Sequence, residues 1–150
     1  MNLFLKFWRL RFTEKAIFFK CIFLLNYYRI RLKTTPLQTL LAEIEQESLE
    51  VSKQKQHYGI MPQTLISIIR GASRFAPFTT CLSQTITGRS LFAKNGNHTQ
   101  IHIGIHKDIS VNFAAHAWLS MDGKVLLGLR SDLHQYKEFT ELTLFTSKNK

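Results

Sequence analysis

Two residues in this chain carry side chains suited to acyl transfer, in local sequence able to position them. Cys81 follows two threonines in FTTCLSQTITGRSLFAK, and His116 stands in VNFAAHAWLSMDG. A threonine caps a helix by accepting a backbone N–H, so Thr79 or Thr80 predicts a helix from about Cys81 to Lys94, with Gly96 beyond its end as the left-handed stop. Cys81 then lies in the first helical turn, where peptide dipoles and unpaired N–H groups favour thiolate, the nucleophilic form. A histidine on a neighbouring strand would add the proton carrier, and sulfur with imidazole is what transfer through a thioester requires. The plainer reading stands beside it: free cysteine is among the most buried residue types, and a lone histidine often serves as a hydrogen-bonded core residue.

The strands that would hold His116 are legible from their period. Ile101, Ile103 and Ile105 alternate with polar or small residues in HTQIHIGIH, as in a half-buried strand. In the next run Phe113, Ala115, Ala117, Leu119 and Met121 share one face, and Ala114, His116, Trp118 and Ser120 share the other. Asp122-Gly123 predicts a hairpin turn, with KVLLGL returning as a third strand. His98, His102 and His106 recur every four residues, but the isoleucine alternation puts them on a strand, and no cysteine or carboxylate nearby completes a tetrahedral metal set. No glycine-rich phosphate loop occurs.

Ahead of this core the chain reads as helical. Apolar clusters predict a helix from about Thr13 to Lys33, apolar on more than one side. In TTPLQ, Thr35 as cap, Pro36 at the first position and Gln38 at capping-box spacing predict a second helix through LLAEIEQESLEV, with Leu37, Leu40, Leu41 and Ile44 inward and the acids facing water. SKQKQHYG reads as a connector. Pro62 opens a short helix with Leu65, Ile68 and Ile69 inside and Gly71 placed to end it. The fold class is α+β, organised as a helical N-terminal region over residues 1–60 and a core over 61–150 within one structural domain.

At 150 residues with 45% hydrophobic composition, the chain is a packed globule rather than a disordered or fibrous one. The formal charge of +10 is uneven: residues 1–33 hold eight Lys and Arg against Glu14 alone. Interleaved with aromatics, that segment could meet an anionic membrane surface, a nucleic acid or an acidic peptide, although packing against the rest of the domain or a partner protein is the simpler expectation. AIFFKCIFLLNYY is too short and too interrupted to span a bilayer, and no small-residue cleavage site follows it. Cys21 and Cys81 are expected as free thiols, and the expected compartment is the cytoplasm, with membrane association through residues 1–33 an option.

The stretch TTCLSQTITGRSLFAKNGNHTQIHIGIHK followed by FAAHAWLSMDGKVLLG resembles the transglutaminase-like cysteine peptidases of lasso-peptide biosynthesis, the B2 leader peptidases. The shared pattern is Cys-Leu opening a helix, an apolar strand, and Ala-His-Ala-Trp ahead of an Asp-Gly turn. It covers about residues 65–145. The resemblance implies a catalytic helix packed on a small antiparallel sheet, Cys81 as nucleophile and His116 as general base. It also implies a substrate, the leader segment of a ribosomally made lasso precursor peptide, and no cofactor. The family's orienting acid is expected where this sequence has Gly128, so Asp132 in GLRSDLHQY is the substitute third member, while Asp122 belongs to the turn tip. The implied partners are a separate PqqD-like leader-recognition protein, for which the chain has no room of its own, and an asparagine-synthetase-like macrolactam cyclase. Two rivals belong to other classes: a scaffold that holds precursor and maturation partners without turnover, and a basic module that binds membrane or nucleic acid.

Overall fold

The computed structural model describes residues 8–9, 11–54, 57–106 and 114–138. Four helices, α1 (Phe12–Thr34), α2 (Leu37–Ser52), α3 (Pro62–Ser73) and α4 (Cys81–Lys94), precede strands β1 (Gln100–His106), β2 (Ala115–Met121), β3 (Lys124–Leu127) and β4 (Tyr136–Glu138). A 3-10 turn, Leu133–Gln135, leads into β4. The strands form one antiparallel sheet in the order β3-β2-β1-β4. This is the α+β class read from the sequence.

α4 is the central element, and its composition explains how. It is buried continuously from Thr85 to Ala93. Ser83, Thr85, Thr87, Gly88 and Ser90 are small enough for neighbours to approach on several sides. α1, α2 and α3 pack on it, and the sheet packs through β2. At Gly88 the approach is closest: a Cβ there would stand 2.6 Å from Leu127 Cδ1 and 3.0 Å from Leu119 Cδ2. One core joins the layers, from Ile17, Leu25, Leu40 and Ile69 through Phe92 to Leu119 and Leu127.

Charge also ties α2 to α4. Arg89, nearly fully buried, donates to both oxygens of Glu45 (Nη2 to Oε1 2.9 Å, Nε to Oε2 3.3 Å), and Lys94 pairs with Glu47 at 3.0 Å. Glu43 meets Arg31 of α1 at 2.6 Å. The acidic run of α2 is therefore only partly a solvated face, contrary to its expected role. A guanidinium inside the core is tolerable only when paired, so Glu45 compensates Arg89.

Helix ends differ from expectation where a neighbour competes for the cap. Thr35 does not cap α2; it closes α1, its N–H bonded to Arg31 O at 2.8 Å and its hydroxyl accepting from Arg31 Nε at 3.1 Å. Pro36 holds the cap position of α2 instead. α3 runs past Gly71 to Ser73, since Ala72 is fully buried and continues the packed stripe. The hairpin turn is as read: Asp122 and Gly123 have φ of 51° and 76°, the pair of left-handed residues that a tight hairpin matched to strand twist requires.

Candidate active site

Cys81 occupies the first residue of α4, capped by Thr80, one of the two threonines its sequence offers, in a reciprocal arrangement with Ser83. Thr80 Oγ1 accepts from the Ser83 N–H at 3.2 Å, and Ser83 Oγ accepts from the Thr80 N–H at 2.9 Å. The cap consumes the Ser83 amide and leaves those of Cys81 and Leu82 without partners among the described residues, so two donors and the positive end of the helix dipole surround the thiol. Cys81 is partly exposed. Cys21 is its opposite: fully buried on α1, its thiol is pushed up to about 12 by desolvation and stays protonated and inert at neutral pH.

His116 lies near the start of β2, only 8% exposed. β2 pairs with β1 so that His116 faces Gly104, Trp118 faces His102 and Ser120 faces Gln100. Because Leu119 meets α4, alternation sends His116, Trp118 and Ser120 to the other side of the sheet. There the rings stack in series: His102 on Trp118 (centroids 5.4 Å, 9° between planes) and Trp118 beside His116 (6.2 Å, 18°). Tyr136 of β4 completes the surround at 5.6 Å from His116. Gly104 makes this possible, since a Cβ there would lie 3.1 Å from the Trp118 ring.

The imidazole is oriented by backbone. His116 Nε2 lies 2.7 Å from the carbonyl oxygen of Gly128. A carbonyl can only accept, so Nε2 carries the proton and Nδ1 holds the lone pair of the neutral ring. Nδ1 has no hydrogen bond among the described residues. Gly128 has φ of 78°, and a Cβ would stand 2.6 Å from Ala117 O and 2.9 Å from Trp118 Cβ. A side chain at this position would be strained and would collide with the main chain, so this backbone has no place for the acid expected there, and the Gly128 carbonyl lies beside the ring instead.

Asp132, the substitute third member, forms no hydrogen bond to His116. Both of its oxygens are held by Arg130, Nε to Oδ1 at 2.8 Å and Nη2 to Oδ2 at 3.0 Å, and the residue sits at the head of the 3-10 turn. That fork, made two residues away along the chain, holds its carboxyl below the usual range. Arg130 is the residue that sequence reasoning missed. Its guanidinium lies over the Tyr136 ring at 5.8 Å, and its pKa is raised first by Asp132, with Tyr136 and Cys81 among the further contributors, so it stands within Coulombic reach of the sulfur. A run such as RSD, with a fork possible at adjacent-but-one residues, was the available signal.

Element lengths direct Cys81 and His116 to one end of the layered core. The short loop after α4 returns the chain along β1, and β1 and α4 are each about 20 Å long, so the start of β2 comes back to the end where α4 begins. No hydrogen bond joins Sγ to the imidazole. Such bonds are often long before substrate binds and tighten only in the loaded site. Two further histidines have other partners: His102 Nε2 meets Ser120 Oγ at 2.7 Å and its Nδ1 meets Glu138 Oε1 at 2.5 Å, while His106 Nε2 meets Gln135 Oε1 at 2.8 Å.

A capped helix opening on cysteine, packed against an antiparallel sheet that carries histidine on the next-but-one element, defines a transglutaminase-like core. The chain matches the Transglutaminase-like superfamily over residues 23–141, and it belongs to that superfamily, which includes cysteine peptidases. No curated protein and no solved structure matches it. Among the described residues, no helix is long and apolar enough to cross a membrane.

Proposed function

We propose that the chain is a cysteine peptidase that removes the leader from a lasso-peptide precursor. The observation that supports it best is the pairing of a capped, partly exposed Cys81 with a His116 whose Nε2–H is committed to Gly128, which leaves Nδ1 as the basic atom. In the reaction the Cys81 sulfur, having given its proton to Nδ1, attacks the carbonyl carbon at the leader–core junction. The carbon–nitrogen bond then breaks, and the departing amine of the core takes the proton from the imidazolium. A thioester between leader and Cys81 remains. Water attacks it, Nδ1 takes the water's proton, and the sulfur leaves as the leader acid forms. The Cys81 and Leu82 amides are the donors placed for the oxyanion, and the Gly128 carbonyl orients the ring in place of Asp132.

The leader would be presented by a separate PqqD-like recognition protein, and the freed core would pass to an asparagine-synthetase-like macrolactam cyclase, in the cytoplasm. A scaffold without turnover is the second reading, and the missing Cys81–His116 hydrogen bond is what favours it. The test is mass spectrometry of a lasso precursor incubated with the chain and the recognition protein. Leader release by wild type, lost in Cys81→Ala and His116→Ala but kept in Asp132→Ala, is the expected result. A precursor that stays bound and intact with wild type would overturn the peptidase in favour of the scaffold.

A further inference from the structure

α1 presents two apolar stripes on opposite sides, one buried in the core and the other largely exposed. Ile17, Cys21, Leu24, Leu25 and Tyr28 are buried in the core. On the outward side Phe12 is 88% exposed, Phe19 62%, Phe23 67% and Ile30 63%, at the spacing that aligns residues along one face. Phe23 and Tyr27 stack on each other at 6.1 Å, so the stripe is a continuous ridge. Helical geometry sets Lys15, Arg29 and Lys33 along one flank and Lys20 and Arg31 along the other. The helix's single acid, Glu14, is turned to its own N-terminus, where it accepts from the Arg11 N–H at 2.9 Å. At the far end the ridge meets a 280 Å³ cavity lined by Asn26, Arg29, Ile30, Lys33, Pro77 and Phe78. Phe78 holds φ of 67°, a costly backbone for a bulky residue, with its ring 81% exposed.

From this we infer that α1 lies flat on an anionic phospholipid surface, with Phe12, Phe19, Phe23, Ile30 and Phe78 in the acyl boundary and the flanking cations among the headgroups. Charge complementarity selects this occupant: an apolar ridge bordered along one flank by Lys15, Arg29 and Lys33 matches the interface between acyl chains and anionic headgroups, while on the other flank Arg31 is engaged by Glu43 and Lys20 by Tyr58. The helix is about 34 Å long, enough for several headgroups along its length, and the mostly apolar cavity at its far end continues the ridge. Docking by this face would hold Phe78, and with it the start of α4, at the bilayer. The inference stands on α1 and the Phe78 turn and does not depend on the peptidase reading.

The experiment is co-sedimentation of the full chain with phosphatidylglycerol vesicles, with phosphatidylcholine vesicles alongside. The expected result is partition into the anionic vesicles that weakens with added salt. The double variant Phe23→Ser/Ile30→Ser and the single variant Lys33→Glu should each lower that partition, the first by about tenfold or more, with thermal unfolding unchanged. Partition unaffected by either variant, no partition by wild type, or a wild-type dimer in light scattering that the double variant turns into a monomer without any vesicle binding would each overturn it.

Discussion

The two faces of the sheet are built on different rules. The face against α4 carries Ala117, Leu119 and Leu127, with Ile101 beside them, and its only specification is volume: Gly88 lets Leu119 and Leu127 approach the helix axis. The other face carries His116, Trp118, Ser120, His102, Tyr136 and Glu138, joined by directed contacts: Glu138 to His102, His102 to Ser120, and His116 to the Gly128 carbonyl. A side chain on the first face can be exchanged for another of like size. On the second, a substitution breaks a chain of contacts that ends at the imidazole. The comparison teaches that stability and chemistry are separable in this fold along a single strand, β2, residue by alternate residue.

Replacing residues along β2 tests that separation most strongly at its two extremes. His116→Ala should cost about 10³-fold or more in leader release while leaving the molecule folded, since the ring contributes to the outer face and little to the core. Leu119→Ala should do the reverse: a loss of about 3 kcal/mol in denaturant unfolding, from a fully buried leucine, with activity per folded molecule near wild type. If Leu119→Ala lowered activity as much as stability, the two faces would not be independent.

Gly88→Ala and Gly128→Ala sharpen the comparison because each adds one methyl to one face. At Gly88 the methyl meets the flexible ends of Leu127 and Leu119, so the cost is repacking, about 1–2 kcal/mol in unfolding, without change in turnover. At Gly128 it meets the Ala117 carbonyl and the Trp118 backbone, which cannot yield, in a backbone conformation already left-handed. Gly128→Ala should therefore displace the carbonyl that orients His116 and lower kcat by about tenfold or more at similar KM, along with about 1–2 kcal/mol of stability. Steady-state kinetics beside denaturant titration separates the two outcomes.

What the sequence made legible follows the same division between local and distant contacts. The Thr80 cap, the Gly96 stop, the Asp122-Gly123 turn and the isoleucine alternation of β1 are decided within a few residues, and each was readable. β4 was not: YKE has neither the length nor the alternation of a strand, and it is one because it pairs with Gly104, Ile105 and His106. The cap of α2 was misread because Arg31, on another helix, claims the Thr35 hydroxyl. The acids of α2 looked solvated because nothing local shows that Arg89 and Lys94 will lie opposite. At the site the same holds. Cys81 and His116 were visible as types at a familiar spacing, whereas the Gly128 carbonyl is invisible in any side-chain pattern, and the Arg130 fork that takes Asp132 depends on the turn between them.

The smallest effect lies at Asp132, and it distinguishes an orienting acid from a surface one. Its carboxyl is held below the ordinary range by Arg130, so its contribution to stability is present at and above the pKa it would have unfolded, near 3.8, and is lost as pH falls through the lower folded value. The group is solvent-facing, so the change should be slight. Asp132→Asn should flatten the acid limb of an unfolding titration below about pH 4 and leave the pH profile of turnover near neutrality where it was. An acid that orients the imidazole does the opposite: it stabilises the imidazolium, and its removal shifts the basic limb of kcat/KM downward. A neutral-pH shift in Asp132→Asn would therefore return Asp132 to the site and demote the Gly128 carbonyl, whereas a profile altered only in acid leaves the main chain of Gly128 holding the ring.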